Sequence, residues 1–233
     1  MEVAARTAPS QQTALVEFLR KLQQQKVTDP ATGQQLKYDE DYNKTVWTEV
    51  PNFGITVADD WNFDATDPSP TSEEATRYEN KTAFFAQLTA SPANSVPDPE
   101  NAPGPFDFSL YALWAFREAF EFSKEPRAPT ITSLRAACYW VIYAADRLWA
   151  NVQMGRDFRH KSSGSNPADE GDAYRKKGWV GFNWERWGVW VQGLENAREG
   201  GDEETARLVR SALKEVERIM DQGWRVRDEE KFA

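Results

Sequence analysis

Two side chains central to much enzyme chemistry are nearly missing from this chain: its 233 residues include one cysteine and one histidine. A single cysteine, Cys138, rules out an intramolecular disulfide framework and thiolate metal clusters. It lies on the apolar face of a predicted helix, where a thiol is expected to be inert. His160 stands in a polar Gly/Ser-rich stretch with no nucleophile or orienter around it, so a Ser-His-Asp or Cys-His arrangement has no support. Histidine-rich zinc or iron sites are excluded by count. No run approaches the roughly 20 apolar residues that span a bilayer, and MEVAARTAPSQQT has no apolar signal core. The chain is therefore expected to be soluble and cytoplasmic, and the sequons at Asn43 and Asn80 are read as chance matches. Positive charge is also short: 28 Lys and Arg face 37 Asp and Glu, a net −9. That balance argues against nucleic-acid or anionic-membrane partners. No segment alternates with period two, and no internal repeat is visible.

Tryptophan, by contrast, is abundant. Seven of the ten fall between residues 107 and 190, so the central half carries the aromatic mass. With 40% apolar residues the length suits one domain, residues 1–233, although mean hydropathy of −0.72 leaves much of the chain solvated.

Residues 131–154 form the central expectation. Leu134, Ala137, Cys138, Val141, Ala145, Leu148 and Val152 recur at helical spacing, and aromatic residues widen that face until only a narrow polar strip remains. Such a helix must be surrounded. An amphipathic helix is expected over 10–26 with Ser10 as its cap, and a weaker one around 39–49. Thr71-Ser-Glu-Glu74 has capping-box spacing and opens a helix to about Ala90. Asp107 heads an aromatic helix, Thr130 or Thr132 caps the central one, Asn183 caps a Trp-rich one, and Asp202 caps a last one stopped at Gly223. Residues 27–70 and 155–182 read as long loops, and 225–233 as frayed. The fold class is all-α, a bundle of about six helices.

The succession DFSLYALWAFREAFE, AACYWVIYAADRLWANV and GFNWERWGVWVQGLE, with FFAQLTA before it, resembles a family of uncharacterised fungal proteins known only as a domain of unknown function. The resemblance covers the middle and C-terminal two-thirds of the chain. It implies a helical fold and an intracellular, filamentous-fungal origin, and it carries no activity, cofactor or catalytic residue.

Several constellations have chemical potential. Asp59, Asp60, Asp64 and Asp67 are the one candidate for a hard cation, and Asp60-x-x-x-Asp64 resembles the aspartate-rich segments of terpene cyclases; a solvated acidic loop is the competing reading. Asp146 and Arg147 lie in an apolar context and must be paired if buried. Arg117, Glu118, Glu185 and Arg186 are available partners. Functionally, Asp146 or Glu185 could act as acid/base with Arg117 or Arg147 stabilising charge, in a site walled by Trp114, Tyr139, Tyr143, Trp187 and Trp190. Structurally, the same residues make inter-helix salt bridges and core packing. The loop cations Arg156, Arg159, Lys161, Arg175, Lys176 and Lys177 are diluted by neighbouring acids. Two functions follow: a protein binding a small hydrophobic or aromatic ligand or a protein partner (self-association included), or a cofactor-free isomerase, cyclase or lyase.

Overall fold

The structure is a computed structural model that describes residues 1–38, 44–91, 104–122, 129–158 and 166–231, the last ten of these as helix only. Among them are eight α-helices: α1 (Glu2–Arg6), α2 (Thr13–Gln23), α3 (Phe53–Asp60), α4 (Ser72–Thr89), α5 (Ser109–Phe116), α6 (Ile131–Met154), α7 (Trp184–Asn196) and α8 (Glu203–Lys231). A π-helical turn, Arg117–Glu121, continues α5. No strand occurs among the described residues, which show only isolated bridges such as Asp169 with Val180. The chain is all-α.

Helix α6 coincides with the predicted central stretch. Thr130 caps it by accepting the Ser133 N–H at 3.1 Å, and Gly155 ends it in the left-handed conformation at φ 62°. Its flanks pack most extensively against α4 and α8, which makes a three-helix layer with α6 in the middle. Helices α1 and α2 cover α4, while α5, the π turn and α7 close the remaining face. Trp140, Phe85, Phe116, Leu148 and Trp190 lie fully inside this core. The expected caps at Thr71, Asn183 and Asp202 are all present.

Four expectations are corrected. The helix expected over 10–26 is divided, because Gln12 turns inward and donates to the carbonyl oxygens of Thr7 and Asn80 at 2.9 and 2.8 Å. That buried amide holds a 3-10 turn, Pro9–Gln11, ahead of α2, so Ser10 is not the cap. In place of a helix reaching 49, residues 44–50 form turns, and left-handed Asn52 (φ 67°) leads into α3. Residues 39–43, including the Asn43 sequon, lie outside the described part. Helix α8 runs through Gly223 to Lys231, because glycine lowers helix propensity by only about 1 kcal/mol and the helix on either side is long. The side chain of Asn80 is buried and donates to the Ala5 carbonyl oxygen, so that sequon is structural.

Candidate functional site

The π turn sends two carboxylates in different directions. Glu121 is fully buried and meets the fully buried Arg186 of α7 through Nε–Oε1 at 2.6 Å and Nη2–Oε2 at 2.9 Å. Arg186 spends its other N–H groups on the carbonyl oxygens of Ala168, Gly181 and Asp169. Glu121 also accepts from the Trp190 indole and the Gly171 amide, at 2.6 and 2.8 Å. All five guanidinium donors are thereby used. This unit is closed to substrate; it staples residues 166–182 onto the bundle.

A second buried unit surrounds Asp107, whose Oδ2 receives Arg147 at 2.6 Å and Arg156 at 2.7 Å while its Oδ1 holds the Ser109 amide. Burial pushes the Asp107 carboxyl up, but the two guanidiniums outweigh it and hold it below the usual range. Here too the charges are consumed internally.

The residues expected to form an acid/base site do not come together. Asp146, expected in an apolar setting, lies on the surface and pairs with Arg218 of α8 at 2.7 Å. The reason is helical phase: Arg135, Ile142, Tyr143, Asp146, Ala150 and Gln153 form the one strip of α6 that is not buried. Glu185 is likewise exposed, 3.2 Å from the Trp179 indole and 3.5 Å from Lys177. Arg147 belongs to the Asp107 unit, and Arg117 donates to the Asp169 carbonyl oxygen at 3.3 Å. Of the aromatic residues, Trp187 and Trp190 are core, with Trp190 stacked on Phe116 at 4.6 Å. Tyr139 and Tyr143 stack on one another at 6.3 Å along α6. Trp114 is half-buried against Tyr111 at 4.9 Å, with its indole donating to the Pro167 carbonyl oxygen. His160, Arg159 and Lys161 lie outside the described residues. Three of the four aspartates from 59 to 67 are occupied locally: Asp60 pairs with Lys81, and Asp64 and Asp67 hold the turns at Thr66 and Ser69. Among the described residues no group of three His, Cys, Asp or Glu side chains is close enough to hold a metal ion, and no helix is long and apolar enough to cross a membrane.

What the structure does bring together is a different cluster. Tyr78 and Thr82, one turn apart on α4, and Glu118 of the π turn each carry a buried oxygen that bonds to nothing outside this cluster. Within it, Thr82 and Glu118 both stand within hydrogen-bonding reach of the Tyr78 phenol. Burial, and then the charge of Asp64, push the Glu118 carboxyl up to about 7 against the opposing pull of Arg117 and Tyr78. Over this cluster lie partly exposed rings: Phe63 stacks on Tyr78 at 4.5 Å, and Trp61 packs 5.3 Å from Tyr78 and 4.8 Å from Tyr111. The segment carrying them is tied down on both sides, by Lys81 on Asp60 and by the Thr130 hydroxyl donating to the Ala65 carbonyl oxygen. A family model described as a protein of unknown function, DUF3632, matches residues 1–194. The chain belongs to that family. No curated protein and no solved structure matches it. The DUF3632 span begins at the N-terminus, earlier than the resemblance in the central helices implied, and it contains the whole Trp61–Tyr78–Glu118 cluster. Helix α8 lies beyond it.

The sequence puts Tyr78 and Thr82 inside the helix that opens at Thr71, and it offers Glu118 only as an ion-pair partner. The available signal was a glutamate inside a helix otherwise aromatic on most faces.

A second carboxyl behaves like Glu118. Burial pushes Glu79 up to about 7, outweighing Arg135, whose Nη1 stands 3.4 Å away. Both groups titrate at about 4.5 when unfolded, so the folded chain binds more protons between that value and about 7. Stability is therefore expected to fall as pH rises through this window, by about 1–3 kcal/mol per group, and to level off above it. Urea melts at pH 5 and pH 7.5 should show the higher midpoint at pH 5, and Glu79→Gln with Glu118→Gln should flatten the difference. A higher midpoint at pH 7.5 in the parent would refute the assignment.

Proposed function

We propose that this chain binds a small apolar or aromatic ligand carrying a hydrogen-bonding group, at the site formed by Trp61, Phe63, Tyr78, Thr82, Tyr111 and Glu118. The observation that supports it is a buried polar cluster, the Tyr78 phenol with Thr82 and Glu118, lying beneath rings that keep part of their surface in solvent. Ligand sites of this kind are mostly apolar with a few convergent polar groups, and π turns are frequent at functional sites. The intracellular, fungal setting implied by the family resemblance belongs to this reading and makes a metabolite the natural ligand.

A second reading has one observation in its favour. A carboxyl titrating near 7 beside a phenol is tuned for proton transfer, so Glu118 would serve as acid/base in a cofactor-free isomerase or lyase. Self-association has less support: among the described tryptophans, Trp47 and Trp184 are the ones notably exposed, and they sit on different elements.

The test is a titration with 2-naphthol followed by tryptophan fluorescence and thermal shift. The parent should be quenched and stabilised. Trp61→Ala and Tyr78→Phe should each weaken binding about fivefold or more, as expected for losing a ring contact or one hydrogen bond. Asp146→Asn should bind as the parent does. Loss of binding in Asp146→Asn with retention in Trp61→Ala would overturn the assignment.

A further inference from the structure

We infer that Glu79, Arg135 and Asp202 form a proton-operated latch on the start of α8, closed under mildly acidic conditions and released as pH rises. The latch uses none of the residues of the ligand site.

Helix α8 begins with little apolar anchorage. Residues 201–204 are exposed, and its buried apolar side chains start only at Leu208 and Val209. What holds this end is Arg135 of α6. Its Nη2 meets the two oxygens of Asp202 at 3.0 and 2.9 Å, its Nε donates to the buried Thr205 hydroxyl at 2.8 Å, and Glu204 stands 3.9 Å away. Asp202 in turn caps the helix by accepting the Thr205 amide at 2.8 Å. The same guanidinium reaches back through Nη1, at 3.4 Å, to Glu79 of α4, which is 7% exposed. One arginine thus serves three carboxylates. Around Glu79 stand Arg135 and Tyr139 from α6, with Asp202 and Glu204 from the start of α8. Helix α1, also packed on α4, turns its Glu2 to Arg77 and to its own Arg6. A protonated Glu79 leaves Arg135 to Asp202 and Glu204. An ionised Glu79 adds a third negative charge at a place where burial disfavours it. Burial pushes this carboxyl up to about 7 even with Arg135 beside it. Freeing the start of α8 admits water to Arg135 and Glu79 and lets the carboxylate form. That end gives way first because polar contacts, not apolar burial, hold it.

The test is amide hydrogen exchange of the full chain at pH 5.5 and pH 7.5, read by NMR and corrected for the intrinsic effect of pH on exchange. The amides of Ala206, Arg207 and Leu208 are expected to lose protection by about tenfold between the two, as linkage to a carboxyl that titrates at about 7 when closed and about 4.5 when open requires. The start of α7, where the Trp187 amide bonds to the Asn183 carbonyl oxygen, is the control and should change little. Glu79→Gln should abolish the difference at α8. Asp202→Asn keeps a capping side chain but gives up the charge that faces Arg135. It should lower the protection of these amides a few-fold at pH 5.5, and it keeps the latch testable if the Glu79 variant folds poorly. Protection at α8 that ignores pH, an equal change at the start of α7, or a pH response that survives Glu79→Gln would each overturn the inference. So would an Asp202→Asn variant protected as well as the parent.

Discussion

Arg186→Met is expected to lower the unfolding free energy by about 3–5 kcal/mol, because it strands the carboxylate of Glu121 in a fully buried position. For a chain of this size that corresponds to a melting temperature lower by roughly 10 °C, readable by circular dichroism. The double change Glu121→Leu with Arg186→Met separates two effects. A simple buried ion pair can often be exchanged for apolar residues at little cost. Here the pair also satisfies the carbonyl oxygens of Ala168, Gly181 and Asp169, the Gly171 amide and the Trp190 indole. The double variant should therefore recover only a part of the loss, with about 1–3 kcal/mol remaining for each group left buried without a partner. Full recovery would mean that the staple on residues 166–182 does not depend on these bonds.

Gly181→Ala comes second, with an expected cost of about 3 kcal/mol. Gly181 has φ +67°, which costs an L-residue about 1–2 kcal/mol, and its Cβ would stand 2.0 Å from the Arg156 carbonyl oxygen. That carbonyl accepts from the Phe182 amide at 2.8 Å, so the obstacle is backbone that cannot withdraw without breaking a bond. Gly181 is where three pieces of chain cross: its amide donates to Ala168, its carbonyl accepts from Arg186, and Arg156 lies against it. Gly188→Ala on α7 has open space at its Cβ and is the matched control, expected to be neutral or slightly stabilising because alanine favours a helix. Equal melting temperatures for Gly181→Ala and the parent would contradict the close crossing.

How far the sequence carried these conclusions depended on where the deciding contact lay. Helix α6 was legible because its stripe, its Thr130 cap and its Gly155 stop all lie within the same stretch, and α4, α7 and α8 announced themselves through Thr71, Asn183 and Asp202. Helix α3 was not, since its start depends on left-handed Asn52 and its short span mixes Gly54 and Thr56 with two aspartates. Asp146 was misplaced for a subtler reason. The unburied strip of α6 contains the half-buried Ile142, Tyr143 and Ala150, whose apolar identity hid the fact that Asp146 among them is exposed. The Glu118 site was out of reach because Tyr78 lies forty residues away along the chain, and because the π turn changes which way Glu118 and Glu121 face. Ionisable residues in aromatic helices were the right places to look. Which of them closed on a partner and which stayed open was decided by tertiary contacts.

The most direct test of the central claim, that Glu118 is a desolvated carboxyl at an aromatic site, is its own titration. Side-chain carboxyl carbon resonances of glutamate-labelled protein would be followed from pH 4 to pH 9, with Glu118→Gln identifying the signal. A midpoint near 7 is the expected result. A midpoint at about the ordinary 4.5 would contradict it.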